Sequence, residues 1–288
     1  MSNLDDKYMG LWIHDISKQR TLRLLSWSVM IFNQNKEIPK GAVVKIILIL
    51  LLSTSTVFGQ NETPFKEGEK LSYKVHYGLV AAGVADLETQ TTGDAYKFIA
   101  KGRSTGLFNL FFKVRNTYES LVDKYSLKPK QFHRDIREGD YVKTESVFFN
   151  YDLKQAESTR DTIPLPENTQ DLLSIFYFMR AQNFDSLEIG NKKSLQVYLD
   201  DEFMNSKLEY LGPDTIKTKF GWIPCTKWSP ELQTGRVFKD EQGVNLWISS
   251  DKNKIPIQIK AKIMVGSIKM DLIKYSGTKE KLTTVKSK

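Results

Sequence analysis

The sequence has 288 residues, with 42 lysines and arginines against 34 aspartates and glutamates, and it carries a formal charge of +8. With 40% hydrophobic residues, 11% aromatic residues and one cysteine, the composition excludes a disordered chain, a collagen-like chain, a multi-span membrane protein, a disulfide framework and a cysteine-rich zinc module. The longest basic cluster is Lys192-Lys193. Because basic and acidic residues otherwise alternate, the excess charge indicates solvated strand faces and predicts no nucleic-acid partner.

The apolar segment that ends at Leu52 has the plan of an export signal. It covers residues 42–52, is interrupted by Lys45, and is followed by a small polar stretch and then by Val57-Phe58-Gly59-Gln60. The modest side chains of Val57 and Gly59 suit signal peptidase, so we expect a signal peptide over residues 44–59 that is cleaved before Gln60. The run is far shorter than the roughly 20 residues of a membrane span, and an uncleaved anchor is the alternative. No cysteine lies near the cleavage point, which disfavours a lipid anchor.

A signal peptide should stand at the start of a chain, yet 43 residues precede Val44-Lys45. Residues 1–41 show no sustained period of helix or strand, and a polar stretch, Asn33-Gln34-Asn35-Lys36, lies towards their end. We hypothesise that translation begins at Val44, read from a GTG codon, and that residues 1–43 are a non-native extension; a different Val44 codon would refute this. The alternative is a genuine cytoplasmic or disordered extension, whose apolar patch over residues 22–32 is also too short to span a bilayer.

From Gln60 onward the chain has 229 residues, and subtracting the 7 basic and 4 acidic residues upstream leaves 35 against 30, a charge of +5. Its dominant pattern is a period of two, typical of half-buried antiparallel strands, and is clearest over residues 71–77 and 141–151. Further strands are predicted over residues 96–101, 114–122, 194–200, 207–211, 215–220, 245–249, 255–263 and 267–273. Turn residues separate the strands at 92–94, 138–140, 212–214, 242–243 and 251–254.

One segment predicts a helix. Residues 168–171 (Asn-Thr-Gln-Asp) offer capping side chains, and Leu172, Phe176 and Met179 recur at helical spacing before Gly190. We expect the helix to lay one apolar stripe on the sheet. Strands before and after one central amphipathic helix predict a single mainly β (β-rich α+β) domain over residues 60–288, with one strongly curved antiparallel sheet that is a half-barrel or closes as a barrel.

Residues able to carry catalysis are few after Gln60. The two histidines, His76 and His133, accompany no Gly-x-Ser-x-Gly elbow, and Cys225 has no CxxC neighbour and is interpreted as a small buried residue. The acidic clusters at 200–202 and 251–253 lack the ligand spacing of a calcium loop and are interpreted as solvated hairpin tips. The sequence therefore predicts a protein that is not an enzyme, with no catalytic residue, no metal ligand and no cofactor.

The most suggestive apolar feature is residues 106–112 (Gly-Leu-Phe-Asn-Leu-Phe-Phe). Five bulky apolar side chains in seven residues exceed what an edge loop usually exposes. The segment could form a lid or wall over an apolar cavity, and the alternative is a short helix or bent strand buried in the core. If the sheet curves around the helix, the candidate ligand-binding residues are Phe108, Phe111, Phe112, Phe176 and Met179.

Several stretches, taken in order, carry a family resemblance. They are residues 65–78 (Phe-Lys-Glu-Gly-Glu-Lys-Leu-Ser-Tyr-Lys-Val-His-Tyr-Gly) continuing to 82–85, the helical segment 171–180, residues 246–251 (Leu-Trp-Ile-Ser-Ser-Asp) with Pro256, and residues 266–268. This succession resembles the exported bacterial family catalogued as domain of unknown function 3108 (DUF3108), over about residues 65–282. The resemblance implies a periplasmic β-rich protein with a curved or barrel-like sheet similar to lipoprotein-carrier folds, and it brings no catalytic residues.

Together these observations favour an exported, non-enzymatic protein of the periplasm in a Gram-negative cell envelope. The first hypothesis is that it holds a lipid or other apolar ligand inside the curved sheet and serves envelope maintenance. The second is a structural or interaction module whose sheet edge or loops dock another envelope protein. A hydrolase with an unrecognised site is the third. The identity of the ligand and the oligomeric state are left open.

Overall fold

The computed structural model describes residues 62–183, 187–231, 243–263 and 265–286. The chain separates into two units between Gly59 and Gln60, and all the described residues belong to the second unit. The predictions for residues 1–43, for the signal segment 44–59 and for cleavage between Gly59 and Gln60 lie outside the described residues.

Fifteen strands and two short helices form the described part of the chain. The first half contains β1 (Lys70–Tyr77), β2 (Val80–Thr92), β3 (Ala95–Ser104), α1 (Phe108–Phe111), β4 (Arg115–Asp123), β5 (Pro129–Glu138), β6 (Tyr141–Asn150), β7 (Gln155–Ser158) and β8 (Thr162–Pro164). The second half contains β9 (Thr169–Gln170), α2 (Ser174–Arg180), β10 (Lys192–Leu199), β11 (Glu202–Thr218), β12 (Gly221–Glu231), β13 (Val244–Ser249), β14 (Pro256–Lys262) and β15 (Ser267–Ser276).

All fifteen strands belong to one sheet, in the order β8-β7-β6-β5-β4-β3-β2-β1-β15-β14-β13-β12-β11-β10-β9. Neighbours pair antiparallel, except that β9 and β10 are parallel. The sequence-based prediction of one large antiparallel sheet is therefore confirmed.

The connection between the two edge strands explains why this sheet must curve. Fifteen strands at the usual spacing would place the edges of a flat sheet about 67 Å apart. The edge strands β8 and β9 are joined by residues 165–168, which can bridge about 18 Å at most. The sheet therefore curls most of the way round, but in the described part β8 and β9 do not pair with each other, so the result is a strongly curved, unclosed sheet.

One predicted turn is wrong. Residues 212–214 lie inside β11, which combines the two strands predicted over 207–211 and 215–220. The pairing of β11 with β12 shifts register between Tyr210 and Gly212, and Gly212 has a φ of +98°. The Gly-Pro-Asp sequence therefore makes a β-bulge, which bends the strand without reversing it.

Three clusters of buried apolar side chains support the sheet. The first includes residues of β3–β7 with Tyr177 of α2 and Tyr198 of β10. The second joins β1 with β12–β15 and contains Cys225. The third joins β11–β13 and contains Trp228 together with Met179 of α2. Because α2 contributes to the first and third clusters, it packs within the curve of the sheet and has buried neighbours on two sides.

Candidate functional site

Asp171 fixes the first turn of α2. Its Oδ1 accepts hydrogen bonds from the backbone N–H groups of Leu173 and Ser174, both at 2.8 Å, and its Oδ2 accepts one from the Ser120 hydroxyl at 2.6 Å. In return, Ser174 Oγ accepts a hydrogen bond from the backbone N–H of Asp171 at 2.8 Å. This reciprocal arrangement satisfies N–H groups that a helix start leaves unpaired. Asp171, within the predicted capping segment 168–171, therefore supports the turn that leads into α2, but the residue at the helix boundary is Leu173, and Thr169 and Gln170 form β9.

The Asp171 carboxyl is fully buried, and this changes its acidity. Desolvation raises its pKa from 3.8 to about 6, and the hydrogen bonds from Ser120, Ser174 and Leu173 oppose this rise without cancelling it. Burial disfavours the charged form of a carboxyl, whereas hydrogen bonds to the carboxylate favour it. Ionisation of Asp171 near neutral pH therefore lowers the free energy of unfolding.

Arg180 fixes the last turn of α2 through a buried ion pair. Its Nη1 and Nη2 donate to Oε1 and Oε2 of Glu69 at 2.6 and 2.8 Å, and Nη2 also donates to the Asn253 carbonyl at 3.0 Å. Both partners are 1% exposed, so this is a desolvated, bidentate pair of the strong kind. One turn earlier, the Tyr177 ring stacks on Phe98 with centroids 3.5 Å apart. One side of α2 thus packs against Glu69, which precedes β1, and against Phe98 of β3.

The opposite side of α2 borders an open apolar groove, termed here the α2 groove, of about 320 Å³. The helix contributes Ile175, Phe176 and Met179 to its wall, and Leu172, which precedes the helix, lines it as well. Strands β10, β11 and β13 contribute Leu195, Val197, Leu199, Met204, Leu208 and Leu246. Polar lining comes from Asn205 and Ser206 of β11. A concave, mainly apolar surface of this size is typical of small-molecule sites.

A second cavity of about 320 Å³, termed the lysine cavity, continues from the α2 groove. Met179, Leu195 and Leu208 line both spaces. The remaining wall of the lysine cavity consists of Phe178, Gln182, Asn183, Leu187, Asn191, Lys192, Lys193 and Trp228. The Lys193 ammonium lies 5.5 Å from the centre of the Phe178 ring, and burial lowers the pKa of this lysine. The two spaces together place an apolar wall next to amide and ammonium groups.

The structure separates the five predicted ligand-binding residues. Phe176 and Met179 line the α2 groove. Phe108 and Phe112 line a different cavity, of about 390 Å³, formed with residues of β1, β2, β3 and β15. Phe111 is 87% exposed and lines neither space. Sequence analysis thus identified two groove residues, Phe176 and Met179. It missed the groove residues on the strands because the alternation within one strand does not show which strands curve towards the helix.

The alternative interpretation of residues 106–112, burial in the core, is wrong. The segment does contain a short helix, α1, but none of the α1 residues is buried. Leu107 and Leu110 are 74% and 75% exposed. The apolar character of this segment therefore needs an explanation outside the packing of the core.

The nucleophile and base candidates occupy separate positions. His76 Nδ1 lies 3.6 Å from Asp271 Oδ2, and His133 Nδ1 lies 2.8 Å from the Ser146 hydroxyl. Cys225 is 1% exposed, and burial raises the pKa of its thiol to about 12, so its interpretation as a small buried residue is confirmed. Within the described ranges, no three His, Cys, Asp or Glu side chains are placed to share a metal ion.

A charge cluster that the sequence did not reveal joins β5 and β6 to the β10–β11 turn. Arg134 Nη2 lies 2.6 Å from Glu145 Oε2, and the two residues are 4% and 1% exposed. Arg134 also binds Asp200, which accepts a further hydrogen bond from Lys143. Arg160 extends the cluster to Asp201 and Glu145, at 2.5 and 3.2 Å. These ion pairs bridge parts of the sheet that are distant in strand order.

The interpretation of the two acidic clusters as solvated hairpin tips needs correction. The turn between β10 and β11 is confirmed, with Asp200 and Asp201 at φ of +56° and +61°. Desolvation raises the pKa of Asp200, but the hydrogen bonds from Lys143 and Arg134 outweigh it and lower the pKa overall. In the second cluster, Asn253 is fully buried. Both turns therefore carry tertiary contacts and are not simply solvated.

None of the helices formed by the described residues has the length and apolar content needed to cross a bilayer. Comparison with solved structures shows similarity to a beta-barrel-like protein of domain of unknown function DUF1849 from Brucella abortus, at 9% identity and a TM-score of 0.48, covering 74% of this chain and 98% of that one. The hypothetical protein CT021 from Chlamydia trachomatis is similar at 9% identity and a TM-score of 0.35, covering 77% of this chain and 93% of that one. A Bacteroides fragilis protein described as exported, with a YmcC-like fold, has 11% identity and a TM-score of 0.35, covering 74% of this chain and 97% of that one.

No curated protein matches the sequence. The sequence profile of the family described as "Protein of unknown function (DUF3108)" matches residues 72–273. That match covers more than half of the chain, from Ser72 in β1 through the helix α2 to Ile273 in β15. It agrees with the resemblance carried by the ordered motifs of the sequence, and the chain belongs to the DUF3108 family.

Proposed function

We infer that this protein is an exported, non-enzymatic carrier or sensor that binds the apolar chain of an amphipathic molecule, such as a lipid or fatty acid, in the α2 groove. The observation that carries this proposal is the lining of the groove. Ten apolar side chains from α2, β10, β11 and β13 face one open space of about 320 Å³, with Asn205 and Ser206 as its polar lining residues.

The groove suits a chain-like apolar ligand because binding would remove water from the apolar surface of the groove and from that of the ligand. Phe176, Ile175 and Leu172 are only half-buried although they lie beside the buried Met179 and Leu208. An alkyl chain that covers them would bury apolar area on the protein and on the ligand, and such burial contributes about 25 cal/mol for each Å². The folded chain thus retains an apolar surface that a ligand can still cover.

The lysine cavity supports an amphipathic ligand over a purely apolar one. It shares three lining residues with the α2 groove, so one molecule can reach both spaces. Gln182 and Asn191 supply amide groups, and Lys193, whose ammonium donates to the Gln182 amide oxygen, supplies a positive charge. A polar or anionic headgroup would stay near these groups while its chain occupies the groove.

Export of the protein is the second part of the proposal, and it is supported by the sequence. Residues 44–59 have a basic start, a short apolar run and small side chains before Gln60, which is the plan of a cleaved signal peptide. We place the working protein in the periplasm as the Gln60–Lys288 chain. Mass spectrometry of the N-terminus of the purified exported protein tests the cleavage position directly.

Ligand binding is tested with the variant Phe176→Glu and its matched control Phe148→Glu. Phe176 is half-buried and lines the groove, whereas Phe148 is 53% exposed on β6. Binding of a dansylated undecanoic acid is followed by fluorescence, and native mass spectrometry identifies any lipid that copurifies. We expect Phe176→Glu to weaken binding at least about tenfold, because a buried carboxylate next to an alkyl chain is strongly unfavourable. The control should bind as the unmodified protein does.

Two results would contradict the proposal. One is equal affinity of Phe176→Glu and Phe148→Glu for the fatty acid while both variants keep the urea midpoint of the unmodified protein. The other is the absence of both copurified lipid and measurable fatty-acid binding in the unmodified protein.

A further inference from the structure

Four loops at one end of the sheet present exposed apolar side chains. They are the β1–β2 turn, the α1 segment between β3 and β4, the β5–β6 hairpin and the β14–β15 turn. Each of the side chains concerned is at least 61% exposed, and Leu79 is completely exposed. We call this set the apolar tip; its main members are Leu79, Leu107, Leu110, Phe111, Val142 and Val265.

The four loops are in contact with one another. The Tyr77 hydroxyl donates to the Val265 carbonyl at 2.6 Å, and the Tyr77 ring centre lies 6.4 Å from that of Phe108. The Gly139 N–H donates to the Lys113 carbonyl at 2.9 Å. In an antiparallel sheet these connections all fall at the same end of the strands. The exposed side chains therefore form one surface.

The fold itself does not account for the apolar tip. Within residues 107–112, the rings of Phe108 and Phe112 contact each other with centroids 6.3 Å apart and line the cavity at the end of the sheet. Leu107, Leu110 and Phe111 instead remain exposed. A concentration of large exposed apolar side chains marks an interaction surface rather than a stabilising element.

The charges beside the apolar tip favour an anionic partner. Arg103, Lys113 and Arg115 are exposed at the ends of β3 and β4. The Arg115 guanidinium donates to neutral oxygens, those of Ser104, Asn109 and Val114, so its charge is not neutralised by these contacts. Apolar side chains flanked by cations are the combination that binds the interface of a membrane containing anionic lipids.

The shape of the apolar tip favours a lipid surface over a folded protein. Leu79 and Phe111 stand clear of their neighbours, with exposures of 102% and 87%, and they belong to different loops. A rigid partner would need a separate matching pocket for each projection, whereas the interfacial region of a bilayer deforms around them. We propose that the apolar tip docks this protein on an anionic lipid membrane, with Leu79, Leu110 and Phe111 inserted and Arg103 and Lys113 at the headgroups.

The test uses the Gln60–Lys288 chain, which contains every described strand and helix and all three core clusters. Flotation with vesicles compares mixed phosphatidylcholine and phosphatidylglycerol with phosphatidylcholine alone. The double variant Leu110→Ser/Phe111→Ser removes two insertion residues, and Leu153→Ser is the control, because Leu153 is 63% exposed in the turn at the opposite end of β6. Lys113→Gln with Arg103→Gln removes the flanking charges.

We expect the unmodified chain to float with the anionic vesicles and the Leu110→Ser/Phe111→Ser variant to bind at least about tenfold more weakly. Leu153→Ser should bind normally, and the variant lacking Arg103 and Lys113 should lose its preference for anionic vesicles. Equal flotation of the unmodified chain and the double variant would overturn the proposal. So would a dimer in sedimentation equilibrium that the double variant abolishes, because the apolar tip would then pair with a second copy.

The docking proposal is separable from ligand binding in the α2 groove. Phe176→Glu changes the groove and leaves the apolar tip intact, so this variant should float with anionic vesicles as the unmodified chain does. Loss of flotation in a folded Phe176→Glu variant would show that vesicle binding occurs through the groove, and this would refute docking by the apolar tip.

Discussion

Replacement of Asp171 by asparagine should make the protein more stable at neutral pH. An asparagine keeps the side-chain oxygen that accepts the N–H groups of Leu173 and Ser174. Its amide can also donate to the Ser120 oxygen that now hydrogen-bonds the carboxylate. The variant therefore retains the helix cap but removes the negative charge from a fully buried position.

The magnitude follows from the acidity of Asp171. Desolvation is the main cause that raises its pKa from 3.8 to about 6 in the folded protein. At about 1.4 kcal/mol for each pH unit between these values, ionisation costs the folded state about 3 kcal/mol relative to the unfolded chain. Because the folded state holds the proton more tightly, the free energy of unfolding falls as the pH rises from about 4 to about 6, and the loss is complete above that range.

Urea unfolding of Asp171→Asn and the unmodified protein, followed by tryptophan fluorescence, measures this difference. We expect the variant to be more stable by about 2–3 kcal/mol near pH 7 and to show almost no difference near pH 4. Other titrating groups cancel because the two proteins are compared at each pH. Asp152→Asn, an exposed position in the turn after β6, is the control and should not change the free energy of unfolding.

A second variant separates the cap from the charge. Asp171→Ala removes the acceptor for two N–H groups together with the charge, so it should be less stable than Asp171→Asn by about 1–3 kcal/mol at every pH. The reasoning is refuted if the difference between Asp171→Asn and the unmodified protein is the same at pH values near 4 and 7, or if it favours the unmodified protein more strongly as the pH rises.

Two further predictions concern buried groups. Glu69→Gln leaves the Arg180 guanidinium buried beside a neutral partner, so we expect the free energy of unfolding by urea to fall by about 3–5 kcal/mol. Glu67→Gln, at an exposed position, is the control. An equally small change in both variants would contradict a stabilising role of the Glu69–Arg180 pair. Cys225, with its raised pKa and 1% exposure, should react with a disulfide reagent such as Ellman's reagent only after unfolding, and rapid labelling of the native protein would show that the core opens there.

Sequence analysis identified strands in which polar and apolar side chains alternate. It missed strands that lack this alternation and are positioned by pairing with adjacent strands. Over β6, Tyr141–Asn150, the alternation of exposed and buried positions matches the period of two. The strand β2 contains many small and polar residues, and it is placed by pairing with β1 on one side and β3 on the other. In β11 the Gly212-Pro213-Asp214 sequence has the composition of a turn, but continued pairing with β12 makes it a bulge.

The candidate site depended still more on long-range packing. Phe176 and Met179 were accessible to sequence analysis because helical spacing places them on one side of α2. The strand side of the α2 groove comes from residues between Leu195 and Ile259, and the curvature of the sheet brings them together. The ion pair of Arg134 with Asp200 spans 66 residues, so no local pattern could have shown it.

The charge cluster connects two parts of the curved sheet that do not pair through backbone hydrogen bonds. In a closed barrel, backbone hydrogen bonds join the first and last strands. Here, ion pairs among Arg134, Glu145 and Asp200 connect the β10–β11 turn to β5 and β6 instead. Leu199 and Met204 lie on either side of that turn and also line the α2 groove. These ion pairs therefore hold the turn at one end of the groove wall, and because Arg134 and Glu145 are buried, salt screens their interaction much less than it screens exposed ion pairs. The two halves of the unclosed sheet are thus joined by ionic contacts between side chains beside the wall of the α2 groove.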